Sequence, residues 1–335
     1  MRKKYHAATL KDIAMEAGVS ESTVSRAIQG STTISESTRT KICEIAERMN
    51  YRPNIIARSL RISRIRIIGI IIPDNSNPYF AALIKGIETT ASVLDYTVVI
   101  INTDEKSEAE IKAIATLIEL RVSGLLSVPV DIDNYKNMQI PYVFLTRVKK
   151  TDDMFSFSYV TNDNYKGAYL AASHLIERGN QKIYFINGPK NVPASAERLD
   201  GYKKALRDAD IKYNEKLIVY GNLTMEDGYA SFNALLEQER PPFGVFCFND
   251  YAAIGVMRSI HEYGFKIPEE ISLVGYDDIE ISSYFIKPLT TVRQSRYTIG
   301  SKGAEVLINM IENVAKYIQR SEIILEPELI IRETT

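Results

Sequence analysis

Little in this chain of 335 residues lends itself to covalent or metal chemistry. It has two cysteines, Cys43 and Cys247, and three histidines, His6, His174 and His261. Neither cysteine sits in a metal-ligand spacing, so both read as buried, reduced thiols. His6 falls in a basic tail, and the other two histidines fall in helical patterns away from strand ends. No histidine is therefore placed as a general base. No phosphate-cradling glycine loop, Gly-x-Ser-x-Gly turn or His-Glu-x-x-His pair occurs. Asp277-Asp278 stands at a strand end, but adjacent side chains diverge there. Neither an enzyme, a metal site nor another cofactor is expected. No apolar run approaches the ~18 residues that suggest a membrane span. Met1 to His6 is basic and lacks the apolar stretch of a secretory leader. The expected location is the cytoplasm, with no membrane partner.

The net charge of −1 is unevenly spread. Residues 1–66 hold 13 Lys/Arg against 6 Asp/Glu, a balance of +7; the remainder holds 28 against 36, a balance of −8. A basic head on an acidic body points the head at a polyanion.

Within that head, Thr9 to Tyr51 carries the most specific pattern. Leu10, Ile13, Ala14 and Ala17 have helical spacing, and Gly18 is a natural helix stop. Ser20 reads as the N-cap of a second helix. Val24, Ala27 and Ile28 would face the first helix, leaving Glu21, Ser22, Ser25, Arg26 and Gln29 outward. Two short helices around Ala17-Gly18-Val19-Ser20 have the layout of a helix-turn-helix, whose second helix enters a DNA major groove. Short hydroxyls allow close approach to base edges, and an arginine can fork onto guanine. Gln29 could reach adenine or a phosphate; Glu21 repels phosphates yet could accept from cytosine. The competing reading is a solvated face that needs no ligand. Ser35 and Thr38 open a third helix, striped by Ile42, Ile45, Ala46 and Met49, and its N-terminal amides suit phosphate. Thr9, Thr23, Tyr51 and Asn54 complete the expected DNA-contact set. Ile55 to Arg61 is too short for a stable isolated helix.

From Arg66 the texture changes. Ile67-Ile68-Gly69-Ile70-Ile71-Ile72 is a continuous β-branched run, the signature of a buried parallel strand. Strands over 97–101, 124–128 and 142–145 alternate with helices over 79–93 and 108–120. The alternation restarts after Tyr165: helices over 166–177, 195–208, 226–237 and 251–263 precede strands over 183–186, 217–219, 244–248 and 271–276. This predicts an all-α helix-turn-helix headpiece (1–53), a hinge or linker (54–65) and an α/β core (66–335) of two doubly wound parallel-sheet subdomains. The first would take about 66–165 and 294–323, the second about 166–293 and 324–335.

Ligands of open α/β sheets sit at the strands' carboxyl ends. Asp74, Asn75 and Asn77 follow the first strand, and Thr146 and Arg147 follow the one ending at Leu145. Asn249 and Asp250 follow Phe248, Asp277 and Asp278 follow Tyr276, and Arg198 lies near the loop after Ile186. Carboxylates, amides and arginines of this kind suit vicinal hydroxyls, and aromatic faces suit the C–H side of a sugar ring. Asp250 reads first as a cap for the helix beginning at Tyr251, and Asp278 as structural. Phe80 is open between ligand contact and core. Leu83, Ile87 and Val93 could supply a subunit interface or simply face the sheet.

The ordered set Ala17-Gly18-Val19-Ser20, Thr23-Val24-Ser25-Arg26, Tyr51-Arg52-Pro53-Asn54, Ala57 and Leu60 resembles the headpiece and hinge of the lactose-repressor/galactose-repressor family. Asn77-Pro78-Tyr79-Phe80, Phe248-Asn249-Asp250, Val274 to Asp278, Arg198 with Gly201-Tyr202, and Leu289 to Gln294 resemble the sugar-binding core that this family shares with periplasmic ribose-type binding proteins. The resemblance implies a transcriptional repressor of carbohydrate-metabolism genes, acting as a homodimer on a pseudo-palindromic operator. It implies a hinge that folds on DNA, with Leu60 as minor-groove wedge beside Ala57. It implies a sugar-like effector held by Asn77, Phe80, Arg147, Arg198, Asn249, Asp277 and Gln294. No heptad run precedes Thr335, so the extra tetramerising helix of some relatives is not expected. A cytosolic solute-binding or sensor protein, and control by a phosphocarrier protein as corepressor, remain the alternatives.

Overall fold

The computed structural model describes residues 8–28, 30–51, 66–148, 157–313 and 320–335. The chain divides into two compact units, Met1–Ile65 and Arg66–Thr335.

In the first unit, Thr9 opens α1 (Leu10–Ala17) through a reciprocal capping box with Asp12. Gly18, at φ 71°, ends it in the left-handed conformation that a side chain would disfavour. Ser20 Oγ accepts from the Thr23 amide at 3.2 Å and starts α2 (Glu21–Ile28). Ser35 does the same for α3 (Glu36–Arg48), accepting from the Thr38 amide at 3.3 Å. A small core of Ile13, Ala14, Ala17, Val24, Ala27, Ile42 and Ile45 holds the three helices together. Cys43 lies on the exposed side of α3, so the expectation of two buried thiols holds only for Cys247, whose ionisation burial opposes.

The second unit contains two six-stranded sheets. The first has the order β11-β5-β4-β3-β1-β2, from β1 (Ile67–Ile72), β2 (Thr97–Asn102), β3 (Gly124–Ser127), β4 (Tyr142–Leu145), β5 (Ser158–Asn162) and β11 (Glu322–Leu325). Its pairings are parallel; Ile70 lies level with Ile100 on one side and Leu126 on the other. Because β1 is buried on both faces, its isoleucines divide between two cores. Ile68, Ile70 and Ile72 pack with α4 (Pro78–Val93) and α10 (Arg296–Glu312), whereas Ile71 packs with α5 (Ser107–Glu119).

The second sheet has the order β12-β10-β9-β8-β6-β7, from β6 (Ile183–Asn187), β7 (Ile218–Tyr220), β8 (Phe243–Cys247), β9 (Ile271–Asp277), β10 (Thr290–Arg293) and β12 (Glu328–Ile330). α6 (Asn164–Glu177) and α7 (Pro193–Asp208) share one apolar cluster with it. α8 (Met225–Gln238) and α9 (Asp250–Glu262) share the other. Only β12 runs antiparallel to its neighbour. The chain passes between the sheets after β5, after β10 and between β11 and β12. β11 keeps the chain in the first sheet to Leu325, two residues beyond the expected crossing at 323.

Leu83 and Ile87 are fully buried in the first core, so α4 spends these residues internally; Val93 is 78% exposed. Of the two readings open for these residues, the core-facing one holds for Leu83 and Ile87, and Val93 lies outside the core. α4 and α10 cross closely at two glycines. A Cβ on Gly86 would stand 2.1 Å from the Tyr297 carbonyl oxygen, and one on Gly300 would stand 2.0 Å from that of Leu83.

Candidate functional site

The carboxyl ends of both sheets open onto one cavity of about 540 Å³. The first sheet brings Asn77 from the β1–α4 connection, Phe80 from the first turn of α4, Glu105 from beyond β2 and Arg147 from beyond β4. The second brings Arg198 from α7, Asn249 from beyond β8 and Asp277 from the end of β9. Gln294, on the passage after β10, completes the wall. The seven residues expected to hold a ligand thus line a single space.

Each is fixed differently. Asn77 caps α4, accepting from the Tyr79 amide at 2.9 Å. Phe80 meets Tyr79 edge-on, with ring centroids 5.1 Å apart. It belongs both to the first core and to the cavity wall, so its two readings coexist. Arg147 forks onto Glu105 with contacts of 2.5 and 2.7 Å. Arg198 is buried between the rings of Phe248 and Tyr276, its guanidinium carbon 4.0 and 3.5 Å from their centroids. Its Nε and Nη2 donate to Asn164 Oδ1 at 3.1 and 3.0 Å, and its Nη1 donates to the Phe248 carbonyl.

Asn249, not Asp250, caps α9: its Oδ1 accepts from the Ala252 amide at 2.8 Å. Its Nδ2 donates to the Leu223 carbonyl at 3.0 Å, holding a residue at φ 73° on the cavity wall. Asp250 is fully buried and ties distant loops together. It accepts from Thr291 Oγ1 at 2.6 Å, Ser282 Oγ at 2.7 Å and the Ile279 amide at 2.9 Å. Burial pushes its carboxyl up to about 6, against the pull of those three bonds. Asp278 is paired with Arg293 and Arg332 at 2.7 and 2.5 Å, the structural part expected of it.

Asp277 is 7% exposed and accepts from Gln294 Nε2 at 2.6 Å. Burial raises its carboxyl to about 7; Arg198 opposes the rise and Asp250 adds to it. Gln294 Oε1 accepts in turn from Asn162 Nδ2 at 2.9 Å and, more loosely, from Tyr79 OH at 3.4 Å. One chain of hydrogen bonds therefore links the end of β9 to the passages after β10 and β5 and to α4.

Several wall residues lay outside the sequence-based set: Glu105, Asn164, Leu223, Glu226 and Tyr251. Asn164 follows β5, whose run Ser158-Tyr159-Val160-Thr161-Asn162 is too polar to announce a buried strand. Leu223 and Glu226 follow β7, a three-residue strand too short to mark its carboxyl-end loop clearly.

On the headpiece, Glu21, Ser22 and Arg26 are exposed on α2 and Ser25 is half-buried, while Val24 and Ala27 face the core. Arg26 Nε donates to the Ser22 carbonyl at 3.2 Å, steadying its side chain along the helix. Ser20, Ser22 and Thr23 share hydroxyl contacts of 2.8 and 2.9 Å. Thr9, Ser35 and Thr38 serve the helix starts, and Tyr51 packs against the small core. Gln29, Asn54, Ala57 and Leu60 lie outside the described residues. Among the described residues no cluster of His, Cys, Asp or Glu is placed to hold a metal ion. No helix among them is long and apolar enough to cross a membrane.

A helix-turn-helix unit followed in one chain by a two-sheet core with a cleft at its strand ends defines a helix-turn-helix protein with a periplasmic-binding-protein-like core. Comparison with known families narrows this. Residues 9–54 match "Bacterial regulatory proteins, lacI family", and residues 66–330 match "Periplasmic binding proteins and sugar binding domain of LacI family". The chain belongs to the lacI family of DNA-binding transcription regulators. It is 34% identical over 333 residues to the HTH-type transcriptional repressor PurR of Vibrio atlanticus (strain LGP32), covering 98% of each chain. A lac repressor dimer bound to operator and the anti-inducer ONPF superposes with a TM-score of 0.86 at 28% identity, covering 98% of this chain and 99% of that one. A transcriptional regulator CelR–cellobiose complex gives a TM-score of 0.74 at 28% identity, covering 98% of this chain and 100% of that one.

Proposed function

We propose that this protein is a sequence-specific repressor whose grip on a pseudo-palindromic operator is set by a small hydroxylated effector, sugar-like in character, bound in the cleft. The observation that carries this reading is the convergence of Asn77, Phe80, Arg147, Arg198, Asn249, Asp277 and Gln294 on one cavity. Amides and carboxylates there match vicinal hydroxyls, and the Phe80 ring can cover an apolar sugar face. Relatives described as an operator-bound dimer and as a cellobiose complex support the same pairing of partners.

In this proposal Glu21, Ser22, Ser25 and Arg26 read base edges from α2, and the N-terminal turn of α3 meets phosphates. Leu60 wedges a minor-groove step and Ala57 packs beside it. A homodimer supplies the two-fold symmetry. Exposed Ile286 in the β9–β10 connection lines an apolar groove with Ile254, Met257, Phe265 and Phe285, and Ile281 and Tyr284 of the same connection are exposed too, a surface suited to a second copy. An effector that prefers one arrangement of the two lobes shifts the dimer towards it and so resets the spacing of the headpieces. Selection of bound duplexes from a random-sequence pool tests the DNA half. A two-fold symmetric half-site is the expected enrichment, and a pool with no enriched sequence would refute operator recognition.

A further inference from the structure

With the cleft taken as the effector site, as proposed above, its charges narrow what it can hold. Five carboxylates line the cavity against two guanidiniums. Both cations are already engaged: Arg147 by Glu105, and Arg198 by Asn164, the Phe248 carbonyl and the field of Asp277. Asp74, partly exposed, turns its oxygens to Ser76 at 2.8 Å, and the exposed Asp104 and Glu226 have no cationic partner among the described residues. Deeper in, Asp277 gives one oxygen to Gln294 and offers the other, without a hydrogen-bond partner among the described residues, at the cavity wall.

A nearly buried carboxylate oxygen of this kind asks its ligand for a hydroxyl or N–H donor. It repels a phosphate or carboxylate, and little water intervenes to weaken that repulsion. We propose that the cleft is a charge filter, admitting an uncharged, hydroxyl-rich ligand and turning away the phosphorylated or carboxylated form of the same skeleton. Asp277 selects at the floor, and Asp74, Asp104 and Glu226 select at the solvent side. Glu105 strengthens the filter by occupying the guanidinium that would otherwise clamp a phosphate.

Titration calorimetry on the full chain at pH 8, where Asp277 is ionised, tests this directly with matched pairs: glucose and glucose 6-phosphate, ribose and ribose 5-phosphate, galactose and galacturonate. Where the neutral member binds, its anionic counterpart should bind at least tenfold more weakly. Asp104→Asn with Glu226→Gln should narrow that gap at least threefold. An anionic member that binds as well as its neutral partner overturns the filter.

A second readout needs no sugar. The chain has no tryptophan, so Tyr251→Trp installs a single fluorophore in the cleft wall. With each ion's quenching constant divided by its constant for free N-acetyltryptophanamide, the ratio for caesium should exceed that for iodide at least twofold. Equal normalised ratios for both ions overturn the filter as well. Quenching asymmetry with no binding by any neutral sugar would sink the sugar reading and leave the filter standing.

Discussion

Asp277 ends β9 at φ 115°, nearly out of solvent, with its carboxyl raised to about 7. Its ordinary value is 3.8, so between about pH 4 and 7 the folded chain holds a proton that the unfolded chain has released. Stability therefore falls as pH rises through that window, and the full penalty is present above it. Asp277→Asn keeps an acceptor for Gln294 and removes the charge. It should stabilise the protein at pH 8 by on the order of 2–4 kcal/mol and have little effect at pH 4. Thermal unfolding at the two pH values checks this, and equal shifts at both would contradict it. The same linkage predicts that a ligand donating a hydroxyl to this carboxylate binds more tightly as pH rises through about 7. Strand-end position was enough to single out Asp277, Arg198 and Asn249. It could not say which of Asn249 and Asp250 caps α9, because both residue types cap well. Asp250 is claimed instead by donors 29, 32 and 41 residues away, a long-range fact with no local trace.

Among the secondary-structure elements, the crossing of α4 and α10 is a tight constraint tied to a named pair of residues. Gly86→Ala would drive a methyl into backbone and not into a side chain that can swing aside. A loss of about 2–4 kcal/mol in denaturant unfolding is expected. Stability within about 0.5 kcal/mol of the parent would mean that the helices separate easily. β1 was legible because two-sided burial writes itself as continuous apolar sequence, and the half-buried edge strand β2 was legible from its β-branched run. β5, β11 and β12 were not. Glu322-Ile323-Ile324-Leu325 and Glu328-Leu329-Ile330 are edge strands of four and three residues, each opening on a glutamate. Short, one-sided pairing leaves too little pattern to read. α10 went unnamed for another reason: Gly300, which permits the close crossing, and Gly303, which packs against Leu145, dilute the apolar period.

Across the whole molecule, the balance of +7 in residues 1–66 and −8 in the rest matches the proposed division between a polyanion and a small ligand. The acidic body also lines its own cleft with more carboxylates than guanidiniums. Three passages join the two sheets, and Gln294 on one of them is bonded to both Asp277 and Asn162, the route by which the proposed ligand would bear on the relation between the lobes. Such a device alters DNA binding only by as much as the ligand prefers one arrangement over the other. The most direct measurement is operator affinity, by fluorescence anisotropy on the selected palindrome, with and without a neutral sugar shown by calorimetry to fill the cleft. The parent chain should shift its operator affinity at least tenfold, while Asp277→Asn stays unmoved and affinity for random duplex does not change. Superimposable operator isotherms with and without a saturating cleft ligand would contradict the coupling.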